Sequence, residues 1–340
     1  MQLSELNYNL PKELIAQYPL ENRDTAKLLV LNRKNKKIEH RQFFNLVDYL
    51  SAEDVLVLNN TKVIPARLLG WRKNTKGKVD LLLRERLDKN SYKVLIKPVR
   101  ALKLNEEIVF DGGKINAKVI DVKEKIVSFN ADVDDVINEY GKIPLPPYIK
   151  RLPQDSDKVM YQTIYAKETG SIASPTAGLH FTKKLLDEIT KIGVKIIFVT
   201  LHVGYGTFKT ITTNDIREHK LEEESFEILK EDLEIIRVAK INKKKIFSVG
   251  TTSTRVLETV ASTLDLKNKT NIKGETSLFI YPGYNFKIID HLITNFHLPH
   301  TSLLALVYAF AGQDLTKKAY QEAIECKYRF YSYGDSMLII

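Results

Sequence analysis

Short apolar runs rich in β-branched residues alternate along this chain with stretches whose apolar positions fall three and four apart. Val194 to Leu201 shows the first pattern best, that of a strand covered on both faces. The segment before it shows the second. Leu185, Leu186, Ile189 and Ile192 share one helical face, Thr182 stands at the N-cap, and Gly193 supplies the stop. Asp54–Leu58, Ile246–Val249, Leu278–Tyr281 and Leu292–Thr294 repeat the strand pattern, and Leu229–Ile241, Val256–Leu264 and Ser302–Phe310 the helical one. Near the start, Lys27–Leu31 and Lys36–His40 flank the polar Asn32–Asn35 as a hairpin, and Phe43–Leu50 has helical spacing. Strands and helices in alternation predict an α/β fold, an open mixed sheet with flanking helices.

The texture changes at Ile64-Pro65-Ala66-Arg67. From Arg67 to about Asn130 come short segments, Lys78–Leu87, Tyr92–Val99, Glu106–Phe110, Ile115–Val122 and Lys125–Asn130. Turn residues such as Asn90-Ser91 and Asp111-Gly112-Gly113 separate several of them, and no helical period appears. Such spacing predicts a small antiparallel β-barrel. Helix–strand alternation resumes after Pro153, with the proline-rich Ile143–Tyr148 as the return connection. The expected organisation is a discontinuous α/β domain, residues 1–66 and 150–340, carrying a barrel inserted at residues 67–149.

Length and composition fit this picture: 340 residues, 44% hydrophobic and 28% charged, describe a soluble globular protein of two domains. The first residues lack the basic start and apolar stretch of a signal peptide, and no run approaches the roughly 18 apolar residues of a membrane span. A single cysteine, Cys326, excludes an internal disulfide. The expectation is a cytoplasmic, monomeric protein. The net charge of +10 is concentrated: Arg67 to Asn130 holds 16 Lys and Arg against 8 Asp and Glu, or +8. That excess is either a footprint for a polyanion or a set of solvated lysines.

Candidate chemistry sits where strands end, the place at which open α/β sheets bind ligands. Ser174–His180 precedes the helix–strand unit around Val194, and His202–Thr207 follows it. Gly250–Arg255, Pro282-Gly283-Tyr284 and Asn295–Pro299 follow other strands. Neither a G-x-x-x-x-G-K-[ST] loop for nucleoside triphosphates nor a G-x-G-x-x-G turn for dinucleotides is present. His297 and His300 have no acidic residue close in sequence, so no metal is expected. His202 and His297 are candidates for general acid or base, with a structural role as the plain alternative. His180 lies between Leu179 and Phe181, where packing explains it equally well, and His219 lies in a charged stretch that suits a solvated surface. Arg255 either grips an anion or pairs with Glu258 on its helix. Tyr205, Tyr281, Tyr284 and Phe296 either stack on a base or close the edge of the core.

Taken together, IPARL, PLPPYI, SPTAGLHF, FVTLHVG-GTF, VGTTS-R, FIYPGY, ITNFHLP, AFAG and YRFYSYGD, in this order, resemble the S-adenosylmethionine:tRNA ribosyltransferase-isomerases of queuosine biosynthesis. The resemblance runs over essentially the whole chain. It implies a discontinuous α/β domain with an inserted β-barrel. It also implies transfer of the ribosyl part of S-adenosylmethionine to 7-aminomethyl-7-deazaguanine at the tRNA wobble position, giving epoxyqueuosine, adenine and methionine. S-adenosylmethionine is then a consumed substrate, and no cofactor is called for. The sequence departs from the family at Glu222, where a histidine is usual, at Tyr205 within HVG-x-GTF, and at His300 after HLP.

On the loops that carry the resemblance, catalysis is expected of His202, His297, His180 and Thr176. Substrate contacts are expected from Gly204, Tyr205, Gly206, Thr251, Thr252, Ser253, Arg255, Tyr281, Tyr284, Asn295 and Phe296. Arg255 and the Gly250–Thr254 turn would hold the methionine carboxylate. On the basic insert, Arg67, Arg72, Lys73, Lys76 and Lys78 are expected to meet tRNA. Two other readings remain at this point: a tRNA-binding protein without catalysis, which would need only the basic surface, and a methyltransferase, which would need a glycine-rich first loop the chain lacks.

Overall fold

A computed structural model describes residues 1–98, 103–263 and 270–340. The chain forms two compact units, one of Met1–Lys62, Pro147–Arg151 and Gln162–Ile340, the other of Val63–Pro146 and Leu152–Tyr161.

The first unit is built on a nine-stranded mixed sheet. Its order is Ile272–Thr276, Glu224–Ile228, Lys195–Leu201, Val55–Asn59, Ile246–Val249, His291–Asn295, Ser336–Ile339, Lys27–Leu31 and Ile38–Gln42. Four neighbours in the middle, Lys195–Leu201, Val55–Asn59, Ile246–Val249 and His291–Asn295, run parallel. Central parallel strands are covered on both faces, and their residues divide between two cores. Val55, Val57, Ile197 and Val199 enter one; Leu56, Leu58, Phe247 and Val249 enter the other. This two-sided burial is why these runs are apolar throughout and show no period of two. Helix Lys183–Ile192 crosses one face, with the Thr182 hydroxyl accepting from the Leu185 N–H at 3.2 Å. Gly193 ends it at φ 94, a conformation that costs glycine nothing.

Three elements differ from the expectation. Leu278–Tyr281 is irregular chain packed on the core, and the strand lies just before it at Ile272–Thr276. An edge strand with Lys273, Gly274 and Glu275 in solvent carries almost no apolar signal. The helix expected over Val256–Leu264 starts at Gly250 and runs to Val260, while Leu264 lies outside the described residues. Its first turn is made of threonine and serine, residues that favour helix starts and turns over helix interiors. Phe43–Tyr49 is a 3-10 helix.

The second unit is a closed six-stranded barrel in the order Ile126–Phe129, Ser91–Lys97, Lys78–Arg86, Arg67–Arg72, Glu107–Phe110 and Ile115–Asp121, all neighbours antiparallel. Side chains alternate inward and outward, and Leu68, Leu81, Val94, Ile108, Val119 and Val127 fill the inside. Helix Val133–Tyr140, not among the expected elements, adds Val133, Val136 and Ile137 to that core. Asp132 caps it by accepting from the Asp134 N–H at 3.0 Å. Among the described residues no helix is long and apolar enough to cross a membrane.

Candidate active site

The four parallel strands all point their carboxyl ends the same way, and beyond those ends lies a cleft with about 580 Å³ of empty space. Ala173–Ala177 forms one wall, Gly250–Thr252 another, and Thr294, Asn295 and His297 a third; Tyr148, Tyr331 and Ser332 complete it.

Two features prepare this cleft for an anion. Helix Gly250–Val260 begins here with no side-chain cap, so the N–H groups of its first turn lack acceptors from a cap and carry the positive end of the helix dipole. Gly250 enters the helix at φ 85, a left-handed conformation that would strain any residue with a Cβ. The second feature is a pair of stranded hydroxyls. Ser174 Oγ and Thr252 Oγ1 belong to residues only 6% and 8% exposed, and neither hydroxyl has a hydrogen-bond partner among the described residues. A buried hydroxyl left alone costs about 1–3 kcal/mol. A bound acceptor removes that cost.

Burial holds the His297 imidazole at the cleft neutral. His297 lines it, and burial pushes the imidazole down to about 3. Its Nε2 lies 2.7 Å from the Thr294 hydroxyl. Its backbone is fixed on both sides, with the N–H donating to the Tyr320 hydroxyl at 3.0 Å and the carbonyl accepting from the Tyr8 hydroxyl at 2.5 Å. Thr176 donates to Asn295 Oδ1 at 2.8 Å, and Asn295 Nδ2 lies 3.3 Å from His180 Nε2. His180 stands behind that chain of contacts, buried against Phe43 and pushed down to about 4 by desolvation. A neutral imidazole accepting at Nε2 satisfies the amide N–H.

A second recess, with about 420 Å³ of empty space, shares Thr207 and Leu303 with the first. Gly206, Glu222 and Glu224 line it together with the apolar Leu221, Phe279 and Leu306. Glu224 is buried, and its Oε1 accepts from the Gly204 N–H at 2.8 Å and the Thr207 hydroxyl at 3.0 Å. Its Oε2 is ion-paired with Arg255 Nη1.

Several expected residues take other roles. The Arg255 guanidinium is used up: beyond Glu224 it donates to the Leu278 and Thr276 carbonyls, each at 3.0 Å. It therefore ties the helix to the Gly204–Thr207 loop and is not a free grip for an anion. Phe296 is fully buried between Tyr320, Tyr328 and Phe330, a core residue with no face for a substrate. Tyr284 donates to Glu258 at 3.3 Å, and burial pushes it up to about 12; Tyr281 packs half-buried on the core beside Phe279. Ser253 is buried behind the helix start that Thr251 and Thr252 present to the cleft. Tyr205 opens a 3-10 turn and lines neither recess. His202 is half-buried outside both, with Nδ1 2.8 Å from the Thr61 hydroxyl and its imidazole lowered by desolvation against the opposing pull of Glu168.

On the barrel, Arg67 is held by Asp80 through two bonds of 2.9 and 2.6 Å, and Lys73 by Glu107 at 2.6 Å. Arg72 points into the barrel and is buried in an ion pair with Glu106, which takes it off the surface open to RNA. Lys76 and Lys78 are exposed and make no ion pair among the described residues.

Sequence reasoning had not assigned Tyr148, Ser174, Tyr331, Ser332 or Glu224 to the site. For three of them a signal lay in PLPPYI and YRFYSYGD, stretches no core requires in that form. Tyr331 adopts φ 74, rare for a bulky side chain and typical of sites where geometry is imposed.

The family model described as "Queuosine biosynthesis protein" matches residues 3–339. A protein of Sulfurihydrogenibium sp. (strain YO3AOP1) named S-adenosylmethionine:tRNA ribosyltransferase-isomerase is 51% identical over 342 residues, covering both chains in full. One of the same name from Thermoanaerobacter sp. (strain X514) is 48% identical over 346 residues, again in full. Among solved structures, S-adenosylmethionine tRNA ribosyltransferase from Thermotoga maritima aligns with 99% of this chain and 100% of its own, at 38% identity and a TM-score of 0.57.

Proposed function

The chain belongs to the queuosine biosynthesis protein family of S-adenosylmethionine:tRNA ribosyltransferase-isomerases, and from that premise we propose that its α/β cleft binds S-adenosylmethionine and carries the chemistry. The observation that carries this reading is the uncapped start of Gly250–Val260 facing the cleft beside the partnerless hydroxyls of Ser174 and Thr252. A carboxylate fits there, accepting from backbone N–H groups and hydroxyls while meeting the positive helix end. The methionine end of S-adenosylmethionine supplies one. The anion grip thus passes from Arg255, which is occupied, to the helix start itself.

His297 is the base. The sulfonium acidifies the adjacent C5′ hydrogens, and a neutral imidazole in the cleft wall takes one of them. Neutrality suits the place, because an imidazolium would repel the sulfonium. The imidazolium so formed returns that proton to departing adenine, and Thr176, Asn295 and His180, hydrogen-bonded in a fixed chain beside it, orient the substrate. The ribosyl group passes to the aminomethyl nitrogen of 7-aminomethyl-7-deazaguanine. S-adenosylmethionine is consumed as donor, so the reaction needs no further cofactor. The tRNA meets the barrel through Lys76 and Lys78, whose charges are free for phosphates. Both substrates are cytoplasmic, which supports a cytoplasmic enzyme.

The test is to incubate the protein with S-adenosylmethionine and tRNA bearing the precursor base, and to follow released adenine. Turnover should fall by about 10²-fold or more in His297→Ala. Since the folded His297 titrates near 3, below the ordinary histidine value of about 6.5, kcat/KM should hold steady as pH falls through 6.5. The base is lost only far below that. An acid limb at the ordinary value, or full turnover in His297→Ala, removes His297 from the mechanism. A methylated tRNA with no adenine would overturn the reaction class.

A further inference from the structure

The outer wall of the barrel carries the chain's one tryptophan. Along Arg67–Arg72 the side chains alternate, with Leu68, Gly70 and Arg72 inward and Arg67, Leu69 and Trp71 outward. Trp71 is 44% exposed and Leu69 39%. The Trp71 indole has no hydrogen-bond or ring partner among the described residues. Leaving so large an apolar ring in water forgoes the burial that usually places tryptophan.

Its neighbours are cationic. The register sets Lys78 directly opposite Trp71 on one side and the half-buried Val109 on the other. Lys97 stands opposite Asp80, two residues along from Lys78. Side chains paired in this way on one face lie about 5 Å apart at Cβ. Lys76, Lys78 and Lys97 are all exposed and make no ion pair among the described residues. Asp80, the acid nearest in register, is already held by both arms of the Arg67 guanidinium.

We infer that Trp71 is a stacking platform for an unpaired base of the substrate tRNA, with Lys78, Lys76 and Lys97 on the flanking phosphates. An aromatic face among unpaired cations is how proteins bind single-stranded nucleic acid without reading its sequence. Duplex RNA buries its base faces and offers the indole nothing, so the ligand is an unpaired nucleotide. Three free lysines favour a polyanion over an apolar protein surface. This rests on the proposal that the barrel meets tRNA, and adds that the contact includes a base.

The single tryptophan makes the test direct. The full-length protein without S-adenosylmethionine is titrated with an unmodified anticodon stem-loop while indole fluorescence is followed. Quenching should saturate at the affinity given by filter binding, and a fully paired hairpin stem should not produce it. Trp71→Leu should weaken stem-loop binding by roughly tenfold, within the range for loss of one stacked base, and Trp71→Phe should restore most of it. Unchanged unfolding temperatures would show that neither variant acts through the fold. Stem-loop that binds with silent fluorescence, or Trp71→Leu with parental affinity, overturns the platform. In that case Lys76→Gln/Lys78→Gln decides the wider reading: lost affinity and a flatter salt slope keep RNA on the barrel without stacking, and no change removes it altogether. Self-association that disappears in Trp71→Leu would make the patch a contact between copies of the chain and overturn the proposal.

Discussion

In the α/β unit, Ser174 and Thr252 are buried without partners on the wall of the cleft, whereas in the barrel Arg67, Arg72 and Lys73 each have a carboxylate in hand. From the sequence both regions are expected to bind: the Gly250–Thr254 turn the methionine carboxylate, and the basic insert, Arg67, Arg72 and Lys73 included, the tRNA. A partnerless buried hydroxyl on a cleft wall carries a penalty that a bound acceptor removes, while a lysine paired with a glutamate at the surface costs and gains little. Net charge counts both kinds of cation alike. Contacts separate them.

The two ion pairs of this comparison, Arg255–Glu224 and Lys73–Glu107, should differ most under mutation. Side-chain exposure is 8% and 5% in the first pair and 55% and 41% in the second. Arg255→Ala leaves Glu224 buried and uncompensated, which typically costs about 3–5 kcal/mol of stability. Chemical unfolding measures that cost. A variant of parental stability that binds S-adenosylmethionine poorly would return Arg255 to the role of an anion grip.

The next largest effect concerns the stranded hydroxyls. Thr252→Val keeps the shape and removes the donor. Affinity for S-adenosylmethionine should fall by about 1.5–3 kcal/mol, as for a hydrogen bond to a charged group. Without ligand, stability should hold or rise by about 1 kcal/mol, because an unsatisfied group has gone. Calorimetric titration and unfolding of the free protein check the two halves. A drop in stability at parental affinity would make Thr252 a structural residue and erase the contrast with the barrel.

The smallest change is expected at the barrel surface. Lys73→Gln should shift stability by no more than about 1 kcal/mol and leave S-adenosylmethionine affinity alone. A larger loss would mean that the exposed pair holds the barrel wall together, and the two regions would then differ less than their burial suggests.

The fold was legible wherever both faces of an element are buried or a cap is local. Val55–Asn59, Lys195–Leu201 and Ile246–Val249 announce themselves because every side chain meets a core. Thr182 and Gly193 mark a helix by interactions within a few residues. The barrel was readable from alternation and turns, which are local too. The polar edge strand Ile272–Thr276 and the short helix Val133–Tyr140 were not, since their stabilising contacts come from distant parts of the chain. Loops at the strand ends line the cleft, and their wording carried the family.

What the sequence could not settle was which member of each loop faces the ligand. Phe296 and His297 are adjacent, yet one is sealed among three aromatic rings and the other lines the cleft. For Arg255 the sequence offers an anion or the nearby Glu258, and the structure supplies Glu224, which lies 31 residues away along the chain. Burial, ion pairing and the loss of a hydroxyl's partner are properties of three-dimensional neighbours. They appear only when segments far apart in sequence are packed together, so spacing marked the loops, the family resemblance implied the reaction, and the tertiary structure decided which side chains face the cleft.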